Sequence, residues 1–325
     1  MWIMRRRKRV ALALQGGGAH GAFTSGVLDR LLETGLTPDR VSGVSSGALV
    51  GTMLVQGWAA GGAPGAREAI GRLWERVAEA HAVSSLRNGP VQRWLWGSDI
   101  SSNPLWQGME TALRLFAPEQ LNPLGHNPLR PVIADLLDPD LLASPSAPRL
   151  VVGTTDVETG RAIVFRNEAI TVDVLLASAC LPFVFPAVEI DGRLLWDGGY
   201  SGNPPLGPLL HPDPPEELVL IRAQPRRRPG RPTTQAEIFN RLNEIAFQGV
   251  LEAELAALPR SVQVTSYDAD AELANLPISS KLNAEESFLR ALFAAGRETI
   301  RRRELSAENL GSRVTNPVAD PPQSR

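Results

Sequence analysis

A serine flanked by glycines occurs early in the chain, in the pentapeptide Gly43-Val44-Ser45-Ser46-Gly47. A short predicted strand leads into it and a segment of small apolar residues follows it, so the pentapeptide lies at a predicted strand-to-helix turn. The pattern is that of a nucleophile elbow, whose glycines permit a strained and closely packed turn. The helix that starts there favours negative charge near a reacting carbonyl. Ser45 is therefore the predicted nucleophile of an acyl-transfer reaction, and Ser46 is one position too late for this role.

A glycine-rich loop, Gly16-Gly17-Gly18-Ala19-His20-Gly21, comes directly after the first predicted strand and opens the first predicted helix. Glycines in such a loop expose consecutive backbone N–H groups, which can hold a phosphate or a developing oxyanion. The spacing also fits the dinucleotide fingerprint, which needs an acidic residue at the end of the second strand. The second strand ends in the serine elbow instead, and Asp39 lies at its other end. We therefore predict an oxyanion hole, with mononucleotide binding as the alternative.

A third motif, Asp197-Gly198-Gly199, follows the second arm of a hairpin predicted over residues 189–196. A carboxylate at the end of a strand can be brought close to the end of another strand, where it could accept a proton. The same three residues are also typical of a turn in which aspartate bonds its own backbone. The motif alone does not distinguish these two interpretations.

The elements around the motifs alternate between strands, predicted over 10–14 and 40–44, and helices, predicted over 21–33 and 46–58. This alternation predicts a mainly parallel sheet covered by helices. Further strands are expected at 149–153, 162–166 and 218–223, and further helices at 67–82, 173–179, 234–258 and 283–305, with a loop at 61–65. Residues 84–148 are rich in tryptophan and proline and suggest an irregular cap. We expect one domain over residues 1–310 and a flexible tail over 311–325.

The bulk composition is that of an ordinary soluble protein, with 43% hydrophobic and 21% charged residues among 325. The net charge of −2 gives no field that would favour nucleic acid. Cys180 is the only cysteine, which excludes an internal disulfide and a cysteine-rich zinc site. Neither a signal peptide nor an apolar run of about 18 residues is found. We therefore expect a cytoplasmic protein that could touch the inner membrane peripherally, for example through the basic run 5–9.

The order of the three motifs resembles that of the patatin-like phospholipase family. The flanking segments 19–23, 177–182, 196–204 and 280–283 are similar to those of the bacterial members. The resemblance extends over residues 9–305, nearly the whole chain. It implies a three-layer α/β fold in which a mainly parallel central sheet has helices on both faces and an irregular cap region.

The resemblance also implies a catalytic dyad in which Ser45 is the nucleophile and Asp197 is the base. It assigns the oxyanion-hole N–H groups to Gly16, Gly17 and Gly18. The mechanism that it implies needs neither a cofactor nor a metal. Five further glycines support the motifs, namely Gly21, Gly43, Gly47, Gly198 and Gly199. A triad is the alternative, because Ser45, Asp197 and His211 follow the α/β-hydrolase order. His211 lies in a proline-rich segment that looks like an exposed loop.

The activity implied by the resemblance is serine-dependent hydrolysis of lipid acyl esters, of the phospholipase A, lysophospholipase or carboxylesterase type. Aromatic and aliphatic residues in the cap and in the run 181–186 could form an acyl channel: Trp94, Leu95, Trp96, Leu105, Trp106, Leu113, Leu115 and Phe116. The expected partners are a lipid or acyl-ester substrate and a membrane surface. A non-catalytic lipid-binding or scaffold protein, an acyltransferase and a polyester esterase are the alternatives. The intact Ser45 argues against the scaffold.

Overall fold

The computed structural model describes residues 9–82 and 103–314. Its centre is an eight-stranded sheet in the order β5-β6-β3-β2-β1-β7-β8, with β4 paired to β3. The strands are β1 (Arg9–Leu14), β2 (Thr37–Gly43), β3 (Arg149–Asp156), β4 (Ala162–Arg166), β5 (Val188–Ile190), β6 (Arg193–Asp197), β7 (Glu217–Arg222) and β8 (Gln263–Asp268). Five adjacent strands, β3, β2, β1, β7 and β8, pair in parallel. Strands β4, β5 and β6 pair antiparallel with their neighbours. The predicted mainly parallel sheet is confirmed.

Helices cover both faces of this sheet, as predicted. They are α1 (Gly21–Glu33), α2 (Ser46–Ala82), α3 (Pro104–Leu115), α4 (Pro118–Leu121), α5 (Leu129–Leu136), α6 (Pro139–Leu142), α7 (Val172–Ser178), α8 (Gln235–Ala256), α9 (Asp270–Leu273) and α10 (Glu286–Val314). Strand β1 shows the two layers by its alternation. Val10, Leu12 and Leu14 enter the core formed with α1 and α2, whereas Ala11 and Ala13 join the core formed with α8.

The loop predicted at 61–65 is instead a kink within α2. Only Gly61 and Gly62 leave helical geometry, and Gly62 adopts a φ of 62°. Pro64 is tolerated because it lies in the first turn after the break, where a proline costs no intrahelical hydrogen bond. The prediction was wrong in length, since two glycines are enough to redirect the helix.

The segment predicted as a cap contains helices α3 to α6 in its described part. Val132, Ile133 and Leu142, on α5 and α6, are buried in the main core. Helices α3 and α4, in contrast, expose several large apolar side chains: Leu105, Leu115, Phe116 and Leu121. The predicted acyl-channel residues Trp94, Leu95 and Trp96 and the side chain of Trp106 lie outside the described residues.

Helix α10 extends to Val314, beyond Gly311, where the tail was predicted to begin. The rest of that tail and the basic residues 5–8 lie outside the described residues. Within the described ranges, no helix combines the length and the apolar composition that crossing a bilayer requires.

Strand β3 brings two other strands together end to end. One of its edges pairs with β4 over residues 151–155. Along the other edge, β2 pairs in parallel with residues 149–152, and β6 pairs antiparallel with residues 154–156. The carboxyl ends of β2 and β6 therefore point towards each other, with only Gly153 of β3 between them.

Candidate active site

Ser45 occupies the turn between β2 and α2, with a φ of 53° that non-glycine residues rarely adopt. The turn is held by Ser178, at the end of α7. The N–H of Ser45 donates to the carbonyl oxygen of Ser178 at 3.1 Å and to its Oγ at 2.9 Å. Ser178 Oγ in turn donates to the carbonyl oxygen of Gly153 at 2.7 Å. Ser45 is only partly buried, so its hydroxyl can meet a substrate while its backbone is fixed.

Asp197 lies at the end of β6 and is 2% exposed. Its N–H donates to the carbonyl oxygen of Cys180 at 2.8 Å, and its Oδ1 accepts from the N–H of Gly199 at 2.8 Å. The side chain of Ser45 faces the same carboxyl group and favours its ionised form. Burial raises the pKa of Asp197 to about 6, against the opposing effects of the Gly199 N–H, the Ser45 hydroxyl and the Lys281 charge. The structure thus brings the two predicted dyad residues together.

The glycine loop does not offer all three of its predicted oxyanion donors. The N–H of Gly16 donates to Oδ1 of Asn203 at 2.9 Å, and the N–H of Gly17 donates to Oγ of Ser46 at 3.0 Å. The N–H of Gly18 makes no hydrogen bond to any described residue, and Gly18 is partly exposed at a φ of 60°. Gly18 is therefore the member of the three that could receive an oxyanion, while the other two N–H groups fasten the loop.

The motif glycines allow the segments of the site to pack closely. A Cβ atom at Gly16 would lie 2.7 Å from Cβ of Ser45, and one at Gly198 would lie 2.3 Å from the carbonyl oxygen of Gly153. A side chain at Gly16 would therefore push the glycine loop away from Ser45, and one at Gly198 would push the end of β6 away from β3. The other motif glycines are packed in the same way: Gly21 against Ser46, Gly43 against Gly47, Gly47 against Leu14, and Gly199 against Phe247.

Neither His211 nor His20 is placed to act on Ser45. The carbonyl oxygen of His211 accepts from Arg149, at the start of β3, and from Arg40, which lies beside Arg149 in the middle of β2. Arg40 is roughly 10 Å before the carboxyl end of β2, so the triad of the alternative prediction is not assembled. His20 is buried and its Nε2 pairs with Oγ of Ser280 at 2.9 Å. Burial lowers the pKa of His20 to about 3, so it remains neutral and supports the loop.

Three residues that hold the site were not predicted from the sequence. Ser178 fixes the elbow and Asn203 fixes Gly16, as described above. Lys281 places its carbonyl oxygen where a Cβ of Gly18 would come within 2.2 Å of it, and its Nζ donates to Oδ1 of Asn240 on α8 at 2.8 Å. All three lie in segments that carry the family resemblance, 177–182, 196–204 and 280–283. That location was the available indication of their importance.

Lys281 also brings charge to the site. Its Nζ is 3.9 Å from the fully buried carboxylate of Glu244, which pairs with Arg228 at 2.7 Å and with Arg241 at 3.4 Å. Burial lowers the pKa of Lys281 to about 8, although the Glu244 carboxylate partly offsets this effect. The positive charge of Lys281 favours the ionised form of Asp197. In the described part of the chain, no group of acidic, histidine or cysteine side chains is arranged to hold a metal ion.

Curated relatives of this chain occur in mycobacteria. The chain is 28% identical over 237 residues to uncharacterized NTE family proteins of Mycobacterium bovis and Mycobacterium tuberculosis, an alignment that covers 72% of this chain and 55% of each relative. The chain thus spans about half the length of these curated relatives.

Two solved structures are also similar. VipD from Legionella pneumophila has 13% identity and a TM-score of 0.33, with 89% of this chain and 67% of that chain covered. The type III effector protein ExoU has 16% identity and a TM-score of 0.30, with 90% and 53% covered. The family model described as patatin-like phospholipase matches residues 12–210, which include the glycine loop, Ser45 and Asp197. The match covers more than half of the chain, which therefore belongs to the patatin-like phospholipase family.

Proposed function

We propose that the protein hydrolyses acyl esters of lipids through a covalent acyl-enzyme on Ser45, with Asp197 as the base. The observation that supports this most directly is that the opposed ends of β2 and β6 bring the Ser45 side chain to an almost completely buried carboxyl group. A serine hydroxyl is a weak nucleophile until a positioned base removes its proton. A free aspartate is a poor base, but a pKa near 6 makes Asp197 a better one that is still ionised at neutral pH.

In the first half of the reaction, Oγ of Ser45 attacks the ester carbonyl carbon while its proton passes to Asp197. The electron pair of the carbonyl moves onto its oxygen, which becomes an oxyanion. We place that oxyanion near the N–H of Gly18 and the amino end of α2, because both favour negative charge there. The intermediate then collapses, the bond to the alcohol oxygen breaks, and the departing alcohol takes the proton from Asp197.

In the second half, water replaces the alcohol. Asp197 accepts a proton from the water as its oxygen attacks the acyl carbon of the Ser45 ester. The second tetrahedral intermediate expels Oγ of Ser45, which recovers the proton from Asp197, and the carboxylic acid leaves. The same two side chains serve in both halves, so no cofactor enters the scheme.

We propose a substrate of the phospholipid, lysophospholipid or simple carboxylic ester class. Membership of the patatin-like phospholipase family supports this class. In this proposal, acyl chains contact the exposed apolar side chains of α3 and α4. They also contact the run 181–186, which lies near Asp197 because the N–H of Asp197 donates a hydrogen bond to the carbonyl oxygen of the preceding Cys180. In this proposal residues 1–310 form one catalytic domain. Within residues 84–148, the cap excludes helices α5 and α6, because these two helices belong to the core.

A fluorophosphonate probe tests the proposal, because it reacts only with an activated serine. We expect the wild-type protein to be labelled and Ser45→Ala to be unlabelled, while Ser46→Ala keeps measurable labelling. A panel of phospholipids, lysophospholipids and short-chain esters, with Ser45→Ala as the blank, would then define the substrate. A folded wild-type protein that neither reacts with the probe nor hydrolyses any ester would favour the scaffold alternative.

A further inference from the structure

Helix α8 has two faces of opposite exposure. The inner face carries Asn240, Glu244, Phe247 and Leu251, which are buried at helical spacing. The outer face of its first three turns carries Ile238, Phe239, Leu242 and Ile245, which are 44% to 55% exposed. An amphipathic surface helix normally exposes polar side chains to water. Four apolar side chains on the exposed face are therefore unexpected if that face contacts only solvent.

Each face of α8 contacts a segment that flanks Asp197 in the chain. Phe247, on the inner face of α8, packs edge-on against Tyr200 with ring centroids 4.8 Å apart, and it also contacts Gly199. On the outer side, Phe239 contacts Phe183 of the run 181–186, with ring centroids 5.8 Å apart. Phe183 is itself 53% exposed. The exposed apolar side chain of Phe183 thus extends the outer face of α8 through its contact with Phe239.

Positive charge borders this surface at the amino end of α8. Arg227 and Arg231 are exposed and form no ion pair with any described residue, whereas Arg226 pairs with Asp268 and Asp270. The acidic residue nearest to them on the helix, Glu237, is engaged by the backbone N–H groups of Thr233 and Thr234. The border therefore carries unpaired cations beside exposed aromatic and aliphatic side chains. This combination favours binding to anionic lipid head groups over binding to the apolar surface of another protein.

From these observations we infer that the outer face of α8, together with Phe183, docks the protein onto an anionic lipid bilayer. We call this set of residues, Phe183, Ile238, Phe239, Leu242 and Ile245, the α8 surface. Its apolar side chains would enter the head-group region while Arg227 and Arg231 contact lipid phosphates. The inference deepens the proposed function, on which it rests, because the surface places the Ser45–Asp197 site beside the lipid from which the ester would come.

Vesicle sedimentation tests the inference separately from the chemistry. The vesicles contain phosphatidylcholine alone or mixed with phosphatidylglycerol. We expect the wild-type protein and Ser45→Ala to bind the mixed vesicles equally, since the surface does not include the nucleophile. The variant Ile238→Ser/Leu242→Ser should lower binding by about tenfold or more. Arg227→Glu/Arg231→Glu should lower binding to the mixed vesicles and change binding to phosphatidylcholine much less.

The matched control is Val264→Ser/Leu305→Ser, which removes two comparably exposed apolar side chains outside the α8 surface. It should bind like the wild-type protein. Circular dichroism and thermal unfolding establish that each variant is folded. Wild-type protein that stays in solution with the mixed vesicles, or an Ile238→Ser/Leu242→Ser variant that binds as well as the control, overturns the inference. The inference is also overturned if the wild-type protein is a dimer that binds no vesicles and the Ile238→Ser/Leu242→Ser variant is a monomer. In that case a second copy of the protein covers the α8 surface.

Discussion

The side chain of Ser45 faces the carboxyl group of Asp197, and this carboxyl group is less accessible to water than the serine. The two residues approach from opposite directions, because β2 and β6 run towards each other along one edge of β3. Backbone pairing on both sides of Gly153 therefore fixes their separation. In the proposed mechanism, this arrangement supplies a fixed and buried base beside a nucleophile that a substrate can reach.

Replacing Asp197 by asparagine should abolish ester hydrolysis. The amide side chain of Asp197→Asn could still accept the hydrogen bond from the N–H of Gly199, but it could not take the proton of Ser45. We expect kcat/KM to fall by at least about a thousandfold, measured with a soluble short-chain ester. The control is His211→Ala, which alters the opposite end of the sheet and should retain most of the activity. Loss of activity in His211→Ala, with activity kept in Asp197→Asn, would contradict the dyad.

The pH dependence should report the raised pKa of Asp197. Because the base must be ionised, kcat/KM for an uncharged ester should rise with pH and level off above a pH of about 6. An unperturbed aspartate would give a profile that is already flat at pH 5. Measuring kcat/KM across this range in buffers of constant ionic strength decides between the two.

The same burial should make Asp197 a cost to stability at neutral pH. The pKa of an aspartate in an unfolded chain is 3.8 and that of Asp197 in the folded protein is about 6, so the folded state binds more protons between these values. The free energy of unfolding therefore falls as pH rises through this window and stays low above it. The difference corresponds to about 3 kcal/mol. Asp197→Asn should be more stable than the wild-type protein at pH 7, and the gain should shrink below pH 4 in urea unfolding experiments.

Lys281 should act on the dyad through its charge. Lys281→Met removes a positive charge that favours ionised Asp197, so the pKa of Asp197 should rise. The acid limb of kcat/KM should then shift to higher pH, and activity at pH 6 should fall severalfold. Lys281→Arg keeps the charge and should keep the position of the limb. A uniform loss of activity at every pH in Lys281→Met would show a structural effect only.

Gly18 should tolerate no side chain. In Gly18→Ala the Cβ would meet the carbonyl oxygen of Lys281 at 2.2 Å, and the φ of 60° is itself strained for alanine. The loop must therefore move, and a displacement near 1 Å costs about a hundredfold in rate. We expect kcat to fall by roughly that factor with a smaller change in KM. Gly71→Ala, in an open part of α2, is the control and should leave kcat unchanged.

The sequence was a good guide where local patterning determines the structure. Strand β1 and helix α1 were predicted at their observed bounds within one residue, because an unbroken apolar run and a glycine-bounded periodic segment are strong local patterns. Strand β8 was not predicted, since its sequence Gln263–Asp268 alternates weakly and its pairing with β7 is non-local. Helices α5 and α6 were assigned to the cap because their prolines obscured the apolar residues that enter the core.

The sequence predicted the residues at the centre of the candidate site, but it did not predict the residues that position them. Ser45 and the glycine loop follow from short motifs, and Asp197 from the resemblance. The roles of Ser178, Asn203 and Lys281 depend on contacts between segments that are far apart in the chain. No local pattern indicates that Asn203 would accept a hydrogen bond from the N–H of Gly16.

The position of Gly153 separates two properties that many enzymes couple. A single backbone position of β3 sets the spacing of the reacting groups, whereas the described residues between α2 and β3 contribute no strand to the sheet. Within that stretch, helices α3 and α4 expose their apolar side chains and could change in sequence without altering the distance between Ser45 and Asp197. If α3 and α4 contact the acyl chain as proposed, new sequence grafted onto these two helices would change the choice of substrate and leave the reaction chemistry intact.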